Sequence, residues 1–510
     1  MPKIIPRLWS DKTPKEKQAL DIRKKAADFQ LNRKFPEPQS NGDDAKYPAG
    51  LVSFSKGLPH NKLGEVDENA YNKLLQAINS RNPSDFDQVP VPGSTKLANP
   101  QAALAFDLEG ADSKTLPVTP PPPFASEEFA AEVAECYWLA LTRDVPFSQY
   151  GNEPTSTAAI NDLKRFSIFQ NVNAGNLFRL DLPGVQTGHY ISQFLLQPYT
   201  LGITTVDQRY RTYAKGSDYV TSYQDYLDIQ NGSPARAAGN FDDTPRYIYN
   251  GRALASLAHK SSTYQVTFIA ALILLSYGND ALDDANPYKN SSTQMGFGTF
   301  GAPHILDLVA RAANQAIKAA WYHKWVVHRR IRPEEFGGRI HNHMTGAAKY
   351  PIHQKLLDSQ AVAMAFSKNG THLCPQAFPE GCPTHPAFPG ANATFTAASV
   401  TMLKAFFNES FVIPNPVVPS DDGLKLVPYK GEPLTVGGEL NKLVLNAGFG
   451  RNMAGIHFRN DELQGIAQGE ASASSVMTDF NATYNENFSG FSMTSFNGTP
   501  MTANTNPAAT

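Results

Sequence analysis

The sequence predicts an all-α protein built from helix bundles, with an extended proline-rich segment ahead of them and a short β-hairpin near the end. Three observations lead there. Apolar residues recur at helical spacing in several long segments beyond residue 125. Period-two alternation, the mark of half-buried strands, is scarce until the tail. The segment before residue 100 is rich in Pro, Asn, Asp and Lys and only weakly periodic. At 510 residues the chain is long enough to bury a large core.

Taken in order, the amino-terminal segment ends in Leu116-Pro117-Val118-Thr119-Pro120-Pro121-Pro122-Pro123, which favours polyproline II and reads as a strap. This divides the chain into an extended segment, 1–125, suited to joining subunits, and a helical-bundle region, 126–510. Residues 127–145 place apolar side chains at helical spacing around Tyr137, Trp138 and Leu139, and Pro146 stops the pattern. Residues 252–277 predict a helix buried on most sides, stopped by Gly278-Asn279. Ile305, Leu308, Val309, Ala312, Ala316, Ala319 and Ala320 mark one face of a helix that runs directly into Lys324. Further helical patterns cover 393–407 and 439–447, the second through Leu440, Leu443, Val444 and Ala447. The tail, 488–501, predicts a hairpin around Asn497-Gly498. No internal repeat of fixed period is present.

Composition narrows the function classes. With 45 basic against 47 acidic side chains the formal net charge is -2, so nothing in the bulk charge points to nucleic acid or an anionic membrane. The longest apolar run, 266–275, is about half of what a bilayer span requires. The first eleven residues lack an apolar core and a small-residue cleavage site, so they do not read as a secretory signal. A soluble enzyme, cytoplasmic by default, is the expectation. Three cysteines are too few for a disulfide framework, although Cys374 and Cys382 could pair across a short loop.

Against that neutral background, positive charge gathers in two segments far apart. Lys324, His328 and Arg332 are four residues apart, which on a helix sets them along one stripe ahead of Pro333. Arg451 and His457 share a segment with Gly448, Gly450 and Gly455, whose lack of side chains would let backbone approach a ligand. His457 and Asp461 stand at i, i+4, so the carboxylate could orient one ring nitrogen and leave the other for covalent or coordinate work. Between the two segments, His385-Pro386-Ala387-Phe388-Pro389-Gly390-Ala391-Asn392 forms a turn into a helix, where backbone N–H groups favour an anion. Taken singly, the stripe also suits a solvated face, the His–Asp pair a surface contact, and the turn an ordinary capped helix. Taken together they suit a tetrahedral oxyanion, phosphate or vanadate.

These three segments in this order, Lys-x7-Arg-Pro, a Pro-led turn and Arg-x5-His-x3-Asp, resemble the superfamily of vanadium-dependent haloperoxidases and acid phosphatases. The surrounding sequence is similar to the algal and cyanobacterial bromoperoxidase branch from about residue 127 to the tail. Trp321-Tyr322-His323-Lys324-Trp325, the Gly296–His304 stretch, 137–147 and Asn176-Leu177-Phe178-Arg179 carry that likeness. The resemblance implies two four-helix bundles, with the site at the mouth of one and subunits joined in a homo-oligomer, a dimer or larger.

The resemblance also implies the chemistry: vanadate-dependent oxidation of halide by hydrogen peroxide to hypohalous acid, with a small organic acceptor. It makes His457 the ligand to vanadium, with Asp461 holding its ring, and Lys324, Arg332 and Arg451 the donors to the equatorial oxygens. Lys324 would also polarise bound peroxide. His385 falls where bromoperoxidases have a second histidine, which favours bromide or iodide. The chain departs from the family at one place. Where the family reads Pro-Ser-Gly-His, it reads Pro389-Gly390-Ala391-Asn392. Gly390 lacks the hydroxyl, Ala391 keeps its N–H but adds a Cβ, and Asn392 cannot shuttle a proton near neutral pH. The alternatives are an oxyanion-binding homologue without turnover, and a phosphohydrolase with His457 as nucleophile.

Overall fold

The computed structural model describes residues 14–35 and 37–503. The stretch on which the absence of a secretory signal was read lies outside the described residues.

The amino-terminal part holds more regular structure than its composition suggests. It forms helices α1, Lys15–Asn32, and α2, Glu68–Ser80. Asp67 caps α2 by accepting the Ala70 N–H at 2.9 Å, and its apolar face carries Tyr71, Leu74 and Ile78. These pack with Phe54, Leu58 and Trp325 into a small core of their own. The segment is therefore seated on the residue next to Lys324, while the prolines 120–123 stay outside any helix or strand.

Helix α3, Glu127–Leu141, starts where expected because Ser126 accepts the Phe129 N–H at 3.1 Å. It packs on α4, Pro154–Leu163. The apolar stretch that predicted one helix forms two, α5, Gly251–Lys260, and α6, Gln265–Ser276. The break falls at Ser261-Ser262-Thr263, residues whose side chains compete with helical backbone bonding. Helix α7, Ala302–Tyr322, has Pro303 in its first turn and buries Ile305, Leu308, Val309 and Ala312. Then come α8, Pro333–Met344, α9, Gln360–Asn369, and α10, Ala391–Phe406. The last long helices are α11, Val436–Met453, and α12, Arg459–Asn481.

Helix α10 is the axis of the molecule. It packs along α12 and α7 and is flanked by α11, which makes one four-helix bundle; a second group forms from α3, α4 and α9 with α11 alongside. Small residues allow the close approach. A Cβ built at Gly469 of α12 would lie 2.1 Å from the Thr394 carbonyl oxygen of α10, so the two backbones nearly touch there. At the tail, β1, Phe491–Thr494, pairs antiparallel with β2, Pro500–Ala503, around Gly498 at φ +86°, the hairpin its Asn-Gly predicts. All three cysteines are free and buried. The Cys374–Cys382 pairing does not form: Cys382 Sγ faces Gln376 Oε1 at 3.4 Å, and Cys374 Sγ lies 3.8 Å from Cys136 Sγ.

Candidate active site

The two cationic segments meet at the start of α10. Lys324, Arg332 and His385 come to this point from one side and Arg451 and His457 from the other, and all but Arg451 are buried. The means differ from the expected helical stripe. Helix α7 ends at Tyr322, the chain passes through a π-type turn, His323–His328, and Arg329 sits in the left-handed region at φ 45°. Arg332 is consequently the residue that precedes α8, not a third rung above Lys324. His328 leaves the cluster and stacks on His323 with ring centroids 5.7 Å apart. Pro333, which fixes φ and lacks an N–H, opens α8 and disfavours helix at Arg332, so the stripe could not continue.

Lys324 Nζ donates to the Pro386 and Ala387 carbonyls at 2.8 and 2.6 Å, leaving one of its three N–H directions for a ligand. Burial, with Arg332 beside it, holds this ammonium well below its ordinary range. Arg332 is the hub. Its Nε donates to the His385 carbonyl at 2.9 Å, Nη2 to His385 Nδ1 at 3.0 Å, and Nη1 to the Ile456 carbonyl and to His457 Nε2 at 2.7 and 2.9 Å. Arg451, on the last turn of α11, donates through Nη1 to the Ala258 carbonyl at 2.9 Å, and its buried Nε has no partner. Burial and Arg332 lower it to about 10.

His457 and Asp461 join as expected: Nδ1 lies 2.9 Å from Asp461 Oδ2. The same carboxylate oxygen accepts the Phe458 N–H at 2.9 Å, which caps α12, and Oδ1 accepts from Arg330 at 2.6 Å. With Nδ1–H directed at a carboxylate, the Nε2 lone pair is the available one, and it is this atom to which Arg332 donates. Burial and Arg332 hold both His457 and His385 well below the ordinary imidazole range, so both rings are neutral. The turn Pro386 to Gly390 includes a cis Phe388–Pro389 bond, and the Gly390 N–H donates to the Asp461 carbonyl at 2.7 Å. The first N–H groups of α10, at Ala391, Asn392 and Ala393, have no intrahelical acceptor. Asn392 is partly exposed and lines a small apolar cavity with Leu254, Ala258, Phe395 and Ala447.

The glycines near Arg451 serve packing and not a ligand-hugging loop. Gly448 and Gly450 are inside α11; a Cβ at Gly450 would meet Ala258 Cβ at 2.7 Å, where α5 crosses. Only Gly455, at φ +80°, makes a turn.

The sequence reading missed three residues. Arg330 Nη1 and Nη2 bond Asp461 Oδ1 and Glu132 Oε2, each at 2.6 Å, and burial raises Glu132 to about 7 despite that pairing. The third is Glu462, 1 % exposed, whose two carboxyl oxygens have no hydrogen-bond partner. Burial and the neighbouring Asp461 raise it to about 8, against the pull of Lys324, Arg451 and Arg332. Arg330 sits inside the Lys324 segment and Glu462 directly after Asp461, so proximity to the motif was the only signal either gave. Replacing Arg330 by Met is expected to cost about 3–5 kcal/mol, because it strands two buried carboxylates. Denaturant unfolding checks this, and a loss below ~1 kcal/mol would contradict the assignment.

The cluster suits an oxyanion. Three cations, Lys324, Arg332 and Arg451, converge with helix N–H groups, and among the described residues none of the three has a carboxylate as ion-pair partner. Comparison with known proteins agrees. Residues 304–486 match the family model for the second helical-bundle domain of vanadium chloroperoxidase. The vanadium-dependent bromoperoxidase of Ascophyllum nodosum is 38 % identical over 451 residues, covering 82 % of this chain and 80 % of that protein. The chain belongs to the vanadium-dependent haloperoxidases. The Corallina officinalis member, a bromoperoxidase, is 31 % identical over 588 aligned positions, covering 95 % of this chain and 98 % of its own length. Among solved structures, the homohexameric second vanadate-dependent bromoperoxidase of Ascophyllum nodosum superposes with a TM-score of 0.90 at 30 % identity, covering 99 % and 95 % of the two chains. The helical haloperoxidase architecture thus extends through the amino-terminal segment, for which the sequence offered no match.

Proposed function

We propose that this haloperoxidase binds vanadate at the Lys324–Arg332–Arg451 cluster and uses it to oxidise bromide or iodide with hydrogen peroxide, yielding hypohalous acid for a small organic acceptor. The observation that carries the proposal is a cluster of three cations, Lys324, Arg332 and Arg451, beside a neutral imidazole whose Nδ1 is held by Asp461 and whose Nε2 accepts from Arg332. His457 Nε2 would hold the vanadium, with Asp461 keeping the ring in the tautomer that ligation needs. Arg332, Arg451, Lys324 and the Ala391 N–H would hold the anion's oxygens and offset its charge. Vanadate, when bound, supplies a Lewis-acid centre that activates peroxide toward halide without redox change at the metal. His385, fixed by Arg332 and tilted against Trp321 at 4.8 Å between centroids, shapes the halide side and supports bromide or iodide over chloride.

Burial of Lys324 serves this chemistry, since a donor in a water-poor site is worth more to a developing anion than the same donor in water. Lys324→Ala is expected to lower bromide oxidation by ~10²–10³-fold with the fold intact. Steady-state assay after incubation with orthovanadate and peroxide checks it, and full activity in that variant would remove Lys324 from the site.

The same reading extends to assembly. Helix α1 has no buried residue in the single chain and exposes Leu20 and Leu31, while Phe106 is 84 % exposed. Such apolar groups within the 1–125 segment suit contacts between copies, in line with the homohexameric relative, and we infer a homo-oligomer.

A further inference from the structure

The chain that joins Arg451 to His457 is held at four consecutive carbonyls. Helix α11 ends at Met453, so these acceptors have no helical N–H to satisfy them, and each takes a donor from elsewhere in the molecule. Arg143 Nε donates to the Met453 carbonyl at 2.7 Å, and the Ala377 N–H to that of Ala454 at 2.9 Å. Gln376 Nε2 donates to the Gly455 carbonyl and Arg332 Nη1 to the Ile456 carbonyl, each at 2.7 Å. Of these donors only Arg332 belongs to the cation cluster.

Gln376 is the junction of this brace. It is buried, its Nε2 also donates to the Cys374 carbonyl at 2.9 Å, and its Oε1 accepts from Cys382 Sγ at 3.4 Å. Its own backbone is pinned to that of Tyr219 by a pair of hydrogen bonds, each 2.9 Å. Cys382 stands three residues before His385. One amide side chain therefore touches both the segment that leads to His457 and the segment that leads to His385. Arg143, also buried, is the second strut: Nη2 donates to the Pro375 carbonyl at 3.0 Å, and Asp218 Oδ1 accepts from Nη1 at 2.5 Å. The turn between them leaves no slack. Gly455 lies at φ +80°, and a Cβ there would stand 2.7 Å from the Pro375 carbonyl oxygen and 3.0 Å from Gln376 Nε2.

We propose that Gln376 and Arg143 are positioning residues for the oxyanion site, setting the His457 ring at its working distance from Arg451 and the other cations. This deepens the functional reading above and rests on it, because only a ligand role for the imidazole makes that distance matter. Both residues act through backbone carbonyls. A buried carbonyl that loses its donor is costly to leave unpaired, so the segment has one arrangement while the brace is whole and shifts when a strut is removed.

The test is the ratio of two affinities, measured by equilibrium dialysis on the whole protein. Inorganic phosphate is held by charge and hydrogen bonds, whereas orthovanadate also takes the imidazole as a ligand, so their ratio reads the position of His457 against the cations. Gln376→Met keeps the bulk and removes the donor; it is expected to weaken orthovanadate by about tenfold while phosphate changes by less than about twofold. Arg143→Lys keeps the charge with fewer donors and is expected to lower the same ratio by about threefold, which covers the case in which the Met variant fails to fold. A merely structural role would lower the melting temperature and the yield of folded protein and leave the ratio at the parent value. That result in either folded variant overturns the proposal. If the parent itself binds orthovanadate no more tightly than phosphate, the ligand role of His457 falls, and the functional reading with it. If parent and folded variants favour orthovanadate equally, only the positioning role falls.

Discussion

Replacing His457 by alanine is expected to bring vanadate-dependent halide oxidation down to the vanadate-free background, a loss of about 10³-fold or more. In the proposed site the imidazole is the group that would bond to vanadium, whereas the cations around it would act through hydrogen bonds that partly cover for one another. The variant should fold, because Asp461 retains its Arg330 and Phe458 N–H partners when the ring is removed. It should also keep much of its phosphate affinity, since Lys324, Arg332 and Arg451 are untouched. Measuring turnover and phosphate binding on one preparation separates a ligand to vanadium from a general anion contact. Retained halide oxidation would refute the assignment of His457, and lost phosphate binding would show that the ring merely organises the cations.

Replacing Asn392 by histidine is expected to raise the turnover number by ~10²-fold, the lower end of what a positioned acid–base group contributes. Asn392 opens on a cavity bounded by Leu254, Ala258 and Ala447, and the Ala258 carbonyl is the one that anchors Arg451. The gain should appear in kcat with the halide KM little changed, because the amide is replaced after the anion site is already complete. An unchanged kcat would mean that proton transfer is not the slow step, or that another group already performs it.

Much of this was legible in the chain. Helical periodicity located α3, α7, α10 and α11, and Pro146 marked the stop of the pattern over 127–145. The His457–Asp461 contact was expected from the i, i+4 spacing, but it forms ahead of the helix, where Asp461 caps the start of α12 and His457 precedes the cap residue Phe458. The Lys324–His328–Arg332 stripe failed for a local reason. Pro333 predicts an end to the helix just after Arg332, but the α-helix stops already at Tyr322 and the chain crosses a π-type turn with a left-handed Arg329. The single helix over 252–277 failed similarly, because a run of hydroxyl residues at 261–263 interrupts it. Helix α2 went unseen because its apolar face is short and set among prolines and polar residues, and it acquires its meaning only against Trp325.

By itself, the sequence determined the helical class, the three cations, the His457–Asp461 pair and the altered turn at 389–392. These depend on residue type and short spacing, which the chain carries locally. Tertiary structure alone decided that Arg330 would tie Asp461 to Glu132, that Arg332 would become the hub joining His385 to His457, and that Glu462 would fill the space left by Gly390. Those pairings join residues from 53 to 198 positions apart, Gly390 and Glu462 among them, which the packing of α10 on α12 brings together. Burial is what gives them force: removed from water, a charge or a carboxyl must find a partner, and only the folded chain determines which one is in reach.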